Sequence, residues 1–310
     1  MEGYFVAHPD WEWWIVFYFF LGGIAAGAYA VGTLIDLFGR ERDRHIANMA
    51  YYIAFPLVAI CGVLLILDLT RPERFWHMIL QSQTFMPMFK YWSPMSVGAW
   101  ALLLFGAFSF ASFLGALADD NRFGLGRFSG LARRLHRGPV GVAFEVLGTL
   151  TGFFIAAYTG ALLTASNVPV WSQSTWIASL FLASAASTGI AAMLLLLRFF
   201  RPATPHSSIR RLEETDRYTM ILEAALLVIF LFSLGAALPV FLATPQGIAL
   251  LVGTMGLGVL LPLFLSFRST RGHPDLTVAI ALLVLAGGFI LRWAIVMGGQ
   301  VLIPAEVAGL

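Results

Sequence analysis

Charge is what this sequence lacks most. Only 12% of its 310 residues are charged, against roughly 25% in a typical soluble domain. Cysteine is nearly absent: Cys61 stands alone in an apolar run, which excludes disulfides, zinc sites and cysteine-held clusters. No Lys or Arg precedes Arg40 and the start is acidic (Glu2, Asp10, Glu12), so no signal peptide is expected. The net charge of +2 is too small to suggest a nucleic-acid partner. The six histidines (His8, His45, His77, His136, His206, His273) read as loop or terminal residues. A buried haem needs axial ligands projecting from within helices, so no haem or iron–sulfur cluster is expected in this chain. No glycine-rich nucleotide loop follows a strand, and no paired aspartates suggest a protease.

What the chain has in abundance is apolar residues, at 59%, with a mean hydropathy of +0.82. Apolar runs of about 20 residues, the length that crosses a bilayer core, recur along the chain. Open sheets cannot span lipid, so an all-α integral membrane protein is expected. Eight transmembrane helices are read at 12–38, 46–69, 94–118, 139–164, 174–199, 217–240, 247–267 and 275–299. The chain then forms one transmembrane domain, 1–310. Gly152-Phe153-Phe154-Ile155 resembles Gly287-Gly288-Phe289-Ile290, an offset of four helices. Such a repeat implies two four-helix bundles, 1–164 and 174–299.

The loops sort by charge. Arg40, Arg42 and Arg44, then Arg122, Arg127, Arg133, Arg134 and Arg137, then Arg198, Arg201, Arg210, Arg211 and Arg217, and finally Arg268 and Arg271 all fall on one side. The opposite side holds Arg71, Arg74 and Lys90. The positive-inside rule puts the arginine-rich loops in the cytoplasm and both termini on the non-cytoplasmic side, as in a multi-pass protein of the inner (cytoplasmic) membrane. Trp11, Trp13 and Trp14 suit an outer aromatic belt. The longest outer segment, 69–93, mixes charge with Phe75, Trp76, Met78, Ile79 and Leu80 and is expected to hold a short interfacial helix. The remaining outer loops, 165–173 and 241–246, are short and uncharged, so a large partner outside the membrane would dock near 69–93.

Ionisable residues within the spans are costly and therefore functional candidates: Asp36, Asp68, Glu145, Glu223 and Arg292, with Tyr158, Thr159, Thr164 and Asn167 as neutral company. Depth along the expected helices puts Asp68, Arg292 and Tyr158 in an outer layer. Asp36, Glu145 and Glu223 fall in an inner one, the two glutamates roughly 9 Å from the cytoplasmic helix ends. Asp68 and Arg292 then make a structural ion pair or belong to a site, and Asp36 reaches the loop arginines or joins a proton path. Glu145 and Glu223 have no cation at that depth; they are protonated helix–helix contacts or steps of a proton path.

Four segments resemble the NrfD/PsrC family, the membrane subunits of polysulfide-reductase-like respiratory complexes. They are Tyr18-Phe-Phe-Leu-Gly-Gly-Ile-Ala-Ala-Gly27; Asp68-Leu-Thr-Arg-Pro-Glu-Arg-Phe-Trp-His77 with Ser93-Pro94-Met-Ser-Val-Gly98-Ala-Trp100; Tyr158-Thr-Gly-Ala-Leu-Leu-Thr-Ala-Ser-Asn167-Val-Pro-Val-Trp171; and Arg292-Trp-Ala-Ile-Val-Met-Gly-Gly-Gln300. The resemblance implies a quinone-reactive anchor (menaquinone or ubiquinone) without redox centres of its own. It implies an iron–sulfur partner, further molybdopterin or cytochrome subunits, and a quinone pocket near the face on which the iron–sulfur partner sits. By position, Tyr158 matches the family tyrosine that contacts the quinone. Tyr18 stands where some relatives carry a histidine; tyrosine stays neutral to about pH 10 and is the poorer proton acceptor. His77, with Asp68 and Arg74 near the mouth, is the alternative acid–base group. Tyr18 also reads as a belt aromatic, and His77 and Arg74 as docking residues. Glu145, Glu223, Asp36 and Arg292 would form the proton path. Competing readings are an ion-coupled secondary transporter, which calls for helices broken at matching places in the two halves, and a structural anchor without a quinone site.

Overall fold

The computed structural model describes residues 11–121, 138–166, 168–268 and 274–301. Arg122, Arg127, Arg133, Arg134, Arg137, Asn167, Arg271, His8, His136, His273 and both chain ends lie outside them. Among the described residues eight long helical stretches run in chain order: α1 Trp13–Phe38, α2 Arg44–Leu67, α3 Pro94–Asp119, α4 Pro139–Thr164, α5 Ile177–Phe200, α6 His206–Ser233, α7 Pro245–Arg268 and α8 Pro274–Val301. The same residues contain no strand, only an isolated bridge between Leu80 and Pro87.

Seven of these helices are long and apolar enough to cross a membrane. The exception is α6, because Asp216, Arg217 and Glu223 all fall in the stretch from Asp216 to Ser233 that would have to cross the bilayer. It also departs most from expectation, beginning at His206 and ending at Ser233 rather than covering 217–240. Its first three turns are amphipathic, and a buried stripe runs unbroken through Ser208, Leu212, Asp216, Met220, Glu223, Leu227 and Phe230. A hydropathy window cannot register such a stripe, but helical spacing does. The helix stops where Gly235 adopts φ +52, a left-handed conformation that glycine takes without steric cost. His206, like His45, thus begins a helix instead of lying in a loop.

Other boundaries follow local chemistry. Ser93 caps α3, accepting from the Ser96 amide, and Pro94 fills the first helical position, where no N–H is needed. Thr244 and Pro245 do the same for α7. The middle of α7, Leu250–Leu260, is a π-helix lying just before Pro262, whose ring removes a backbone donor. Segment 69–93 carries a short 3-10 helix, Pro72–Met78, followed by the turn that the Leu80–Pro87 bridge closes.

Helices α1 and α5 form the centre. α1 packs on α2, α4, α5 and α8, and α5 packs on α1, α4, α6 and α8. Neighbour contacts close one ring, α1–α2–α3–α4–α1, and a second, α5–α6–α7–α8–α5. Small residues set the crossing of the two central helices. A Cβ on Gly27 would stand 1.9 Å from the Ala185 carbonyl oxygen, and one on Gly189 would stand 2.4 Å from the Ala28 nitrogen. In contrast, α4 shows Val142, Phe144, Val146, Leu147, Leu150, Phe153 and Phe154 on its outer face. An apolar surface of that extent suits lipid rather than water.

The two ends differ. At the arginine-rich end Arg44 bridges Asp36 (3.5 Å) and Asp119 (3.2 Å). Asp120 takes the Arg201 guanidinium, the Tyr52 hydroxyl (3.0 Å) and the Asn48 amide (3.3 Å), tying α3 to α5 and α2. Asp43 accepts from Ser208 and thereby joins the α1–α2 turn to α6. At the opposite end Gln300 clamps the backbone of Trp11 from both sides, through 2.8 and 3.1 Å bonds. Trp11 in turn stacks on the fully buried Trp171, whose Nε1–H donates to the Ile295 carbonyl at 2.7 Å.

Candidate functional site

The tyrosines come together at the end opposite the arginines. Tyr158 lies near the end of α4, partly exposed, and its hydroxyl donates to the Pro94 carbonyl at 2.6 Å. The ring fits against α3 because residue 98 is glycine: a Cβ there would lie 2.5 Å from the Tyr158 hydroxyl. Phe154, one turn earlier, stacks on the same ring at 5.6 Å. Tyr18 on α1 is 3% exposed, too buried for a belt aromatic. It stands within electrostatic reach of Tyr158 and of Cys61, and the Cys61 thiol donates to the Tyr18 carbonyl at 3.7 Å. Two phenols, one partly open beside Phe154, offer the hydrogen-bonding groups and the ring face that a flat ligand with polar edges would need. Tyr158 would have to exchange its bond to Pro94 to donate to such a ligand.

The residues expected at the mouth are less closely joined. The His77 Nδ1 meets the Arg74 carbonyl at 3.0 Å and the imidazole stacks on Trp76 at 3.8 Å. Arg74 is exposed. Among the described residues no hydrogen bond or ion pair links either side chain to Tyr18, Tyr158 or Asp68. Asp68, just past the end of α2, has a carboxyl pushed up from its ordinary range, first by partial burial and then by the nearby Glu12. The Asp68–Arg292 ion pair, one of the two alternatives open for these residues, does not form.

Arg292 lies in the second ring instead, 1% exposed. Its guanidinium donates to the Phe19 carbonyl (3.2 Å), the Ser184 hydroxyl (2.8 Å) and the Gly288 carbonyl (2.8 Å). Phe181 and Phe20 lie beneath it at 5.5 and 5.9 Å. Gly23 leaves the space, since a Cβ there would meet Nη2 at 2.7 Å. The carboxyl of Glu223 faces the same group, with Ser184 and Ser187 beside it. Glu223 therefore has a cation at its depth, and its assignment to an inner layer apart from Arg292 is corrected. Counted from His206 rather than from 217, Glu223 is about 25 Å along α6, level with Arg292 on α8.

Glu145 and Asp36 belong to a separate polar group in the first ring. Glu145 is 1% exposed and stands within electrostatic reach of Tyr29 and Tyr51. The Tyr29 hydroxyl bonds Ser112 at 2.8 Å, and the two tyrosine rings lie 5.3 Å apart. Asp36, paired with Arg44, lies on the Tyr51 side of this group. The four residues expected to make one proton path thus divide into two networks.

Asp216 escaped the sequence reading. It is 2% exposed, near Glu223, and the Ser187 hydroxyl stands beside both carboxyls. Its signal was the seven-residue spacing to Glu223, which puts both on one face of a helix. Trp171 was also missed as a core residue; nothing local marks a loop tryptophan as buried.

Comparison with known proteins supplies the rest. Residues 7–304 match the family described as Polysulphide reductase, NrfD. The chain is similar to a polysulfide reductase component of Wolinella succinogenes, at 32% identity over 94% of both proteins. It is similar to protein NrfD of Escherichia coli at 27% identity, over 94% of this chain and 95% of that one. A selenate reductase subunit of Mesobacillus selenatarsenatis matches at 24% identity, over 97% of this chain and 75% of its own. With that coverage and a helical architecture built for lipid, the chain belongs to the NrfD family of polysulfide-reductase membrane subunits.

Proposed function

We propose that this chain is the quinone-reactive membrane anchor of a respiratory reductase complex, exchanging electrons between the quinone pool and an extracytoplasmic iron–sulfur subunit. The names of its relatives, components of a polysulfide reductase and of a selenate reductase, support a place in such a complex. The observation that carries the reading is the tyrosine pair. Tyr158 offers a partly exposed phenol over Gly98, and Tyr18 stands within electrostatic reach of it. Both are at the end that bears segment 69–93.

That segment exposes Phe75, Phe85, Phe89, Tyr91 and Trp92 and is the docking surface of the iron–sulfur subunit, with molybdopterin or cytochrome subunits beyond it. The quinone, menaquinone or ubiquinone, takes up two electrons and two protons when reduced. The chain binds and orients the headgroup through Tyr158 and Tyr18, while His77, Arg74 and Asp68 flank the mouth.

In this reading α6 is the eighth span, its charges turned inward, and the two rings of helices are the two four-helix bundles. The arginine-rich end faces the cytoplasm across the inner membrane, and both termini lie outside. An ion-coupled transporter would need breaks at matching places in both halves. The interruptions at Gly235 and at Leu250–Leu260 both fall in the second half, and α1–α4 are continuous. Tyr158→Phe is the test. A lost hydrogen bond of about 1–2 kcal/mol in the bound state lowers quinone-linked turnover of the assembled complex about tenfold. Unchanged turnover with intact assembly would refute the assignment.

A further inference from the structure

The rim of the second bundle, at the arginine-rich end, carries two arginines laid over lipid-facing rings. Arg268 is the last residue of α7, and Arg217 lies on α6, which packs beside it. Helix α7 is long and apolar enough to cross a membrane, so its last turn stands at the bilayer boundary. There the Arg217 guanidinium carbon lies 4.8 Å from the centre of the Phe267 ring, and that of Arg268 lies 4.7 Å from the Phe264 ring. Both rings are exposed and, three residues apart, share one face of the helix. Leu260 and Leu261, exposed one turn earlier, carry that apolar face on toward the membrane middle.

Arg217 is held in place. Its Nε donates to the Ser266 hydroxyl at 3.1 Å and its Nη2 to the Ser266 carbonyl at 3.0 Å, while that hydroxyl donates to the Leu263 carbonyl at 3.0 Å. One edge of the guanidinium is thus fixed to α7, and Nη1 has no acceptor among the described residues. Neither arginine pairs with a carboxylate among those residues. The acids close to Arg217 along α6 are engaged elsewhere: Glu214 takes Arg210 at 2.9 Å, Glu213 accepts from the Thr277 hydroxyl at 2.6 Å, and Asp216 is buried inside the bundle. A guanidinium pressed against an exposed ring at the bilayer edge has lost part of its water and calls for an anion. A phosphodiester fits, because the guanidinium fork takes phosphate oxygens in pairs and basic pockets between membrane helices accept anionic headgroups.

We propose that this α6–α7 face binds one anionic phospholipid of the leaflet at the arginine-rich end. Its phosphodiester sits between Arg217 and Arg268, and an acyl chain runs along Phe267, Phe264 and Leu260. The rings serve twice, holding the guanidiniums on their faces and meeting the chain at their edges. A zwitterionic lipid presents the same phosphate but brings its own cation, so two arginines with no carboxylate gain less from it. The face therefore selects a net negative headgroup. A free phosphate would meet the same arginines but leave the apolar face uncovered. The site is independent of the quinone reading, since it needs only that the chain lies in a membrane.

The test is native mass spectrometry of the full chain in detergent, titrated with phosphatidylglycerol and, separately, with phosphatidylcholine of the same acyl chains. One phosphatidylglycerol should bind about tenfold or more tightly than phosphatidylcholine. Arg268→Gln should lower that preference about fivefold, the worth of one arginine at the membrane surface, and the Arg217→Gln, Arg268→Gln double variant should abolish it. Arg268 makes no hydrogen bond among the described residues, so its single variant should keep the fold, checked by an unchanged melting temperature without added lipid. Arg40→Gln, which removes an exposed arginine at the same end on the other bundle, should leave the preference as it was. Equal affinity for the two lipids would overturn the proposal. So would an equal loss in Arg40→Gln, which would show only a diffuse positive surface. Displacement of the lipid by inorganic phosphate at comparable concentration would also overturn it, making this a free-phosphate site.

Discussion

Replacing Arg292 with methionine is the sharpest perturbation of the buried network. The side chain is 1% exposed and its guanidinium makes three hydrogen bonds, two at 2.8 Å and one at 3.2 Å. Methionine fills much of the volume but leaves the Phe19 and Gly288 carbonyls without that donor and Glu223 without its facing cation. Removing a buried guanidinium that holds three hydrogen bonds costs about 3–5 kcal/mol, because the buried groups that it served stay behind without it. Glu223→Gln alone should cost less, since an amide can still bond the serines at its side. The double variant should therefore be less damaged than the sum of the two, with a coupling of about 1–3 kcal/mol. Denaturant unfolding of the four proteins in one detergent, followed by tryptophan fluorescence, reads that cycle. Additivity within about 0.5 kcal/mol would refute the claim that Glu223 and Arg292 act on one another.

Three further outcomes are expected. Gly27→Ala drives a Cβ to 1.9 Å from the Ala185 carbonyl oxygen and should destabilise the α1–α5 crossing by about 1–3 kcal/mol, measured by the unfolding midpoint in detergent. Trp171→Phe removes the 2.7 Å bond to Ile295 and should loosen the α8 end, costing about 1–3 kcal/mol and speeding amide exchange near Gln300. Asp120→Ala leaves Arg201 without its carboxylate and frees the Tyr52 and Asn48 groups. Proteolysis at the arginine-rich loops should then rise severalfold, whereas quinone-linked turnover, read at the far end, should stay within about twofold of the parent.

The helices were legible because lipid leaves the backbone few options: an apolar run of bilayer length must satisfy its own hydrogen bonds, so length and composition nearly suffice. Where water-facing sequence mattered, that logic failed. Residues 206–216 are too polar for a hydropathy window, yet Leu212 and Asp216 continue the inward stripe of α6. Starting the helix eleven residues late hid Asp216 and placed Glu223 about 16 Å too shallow, about 1.5 Å for each missed residue. The Arg292–Glu223 encounter was invisible for that reason, and an Asp68–Arg292 ion pair stood open as an alternative that the structure does not form. Tyr158 was found through family resemblance; its contact with Gly98 joins helices α3 and α4, and no spacing along the chain encodes such a contact.

Helix α1 runs beside both polar networks. The first bundle carries hydroxyl-rich company around Glu145, and the second carries acids, serines and an arginine. Both border α1: Tyr29 belongs to the first, and Arg292 from the second bundle holds the carbonyl of Phe19, the residue after Tyr18. That bond is a charge-assisted one, and its strength depends on what else the guanidinium must satisfy. When Glu223 is ionised it competes for Arg292; when it is protonated the guanidinium turns more fully to its carbonyl acceptors. A change in the charge of Glu223 would thereby be felt on the backbone next to Tyr18. Coupling of this kind requires a group with two alternative sets of partners, and Arg292 is built with both.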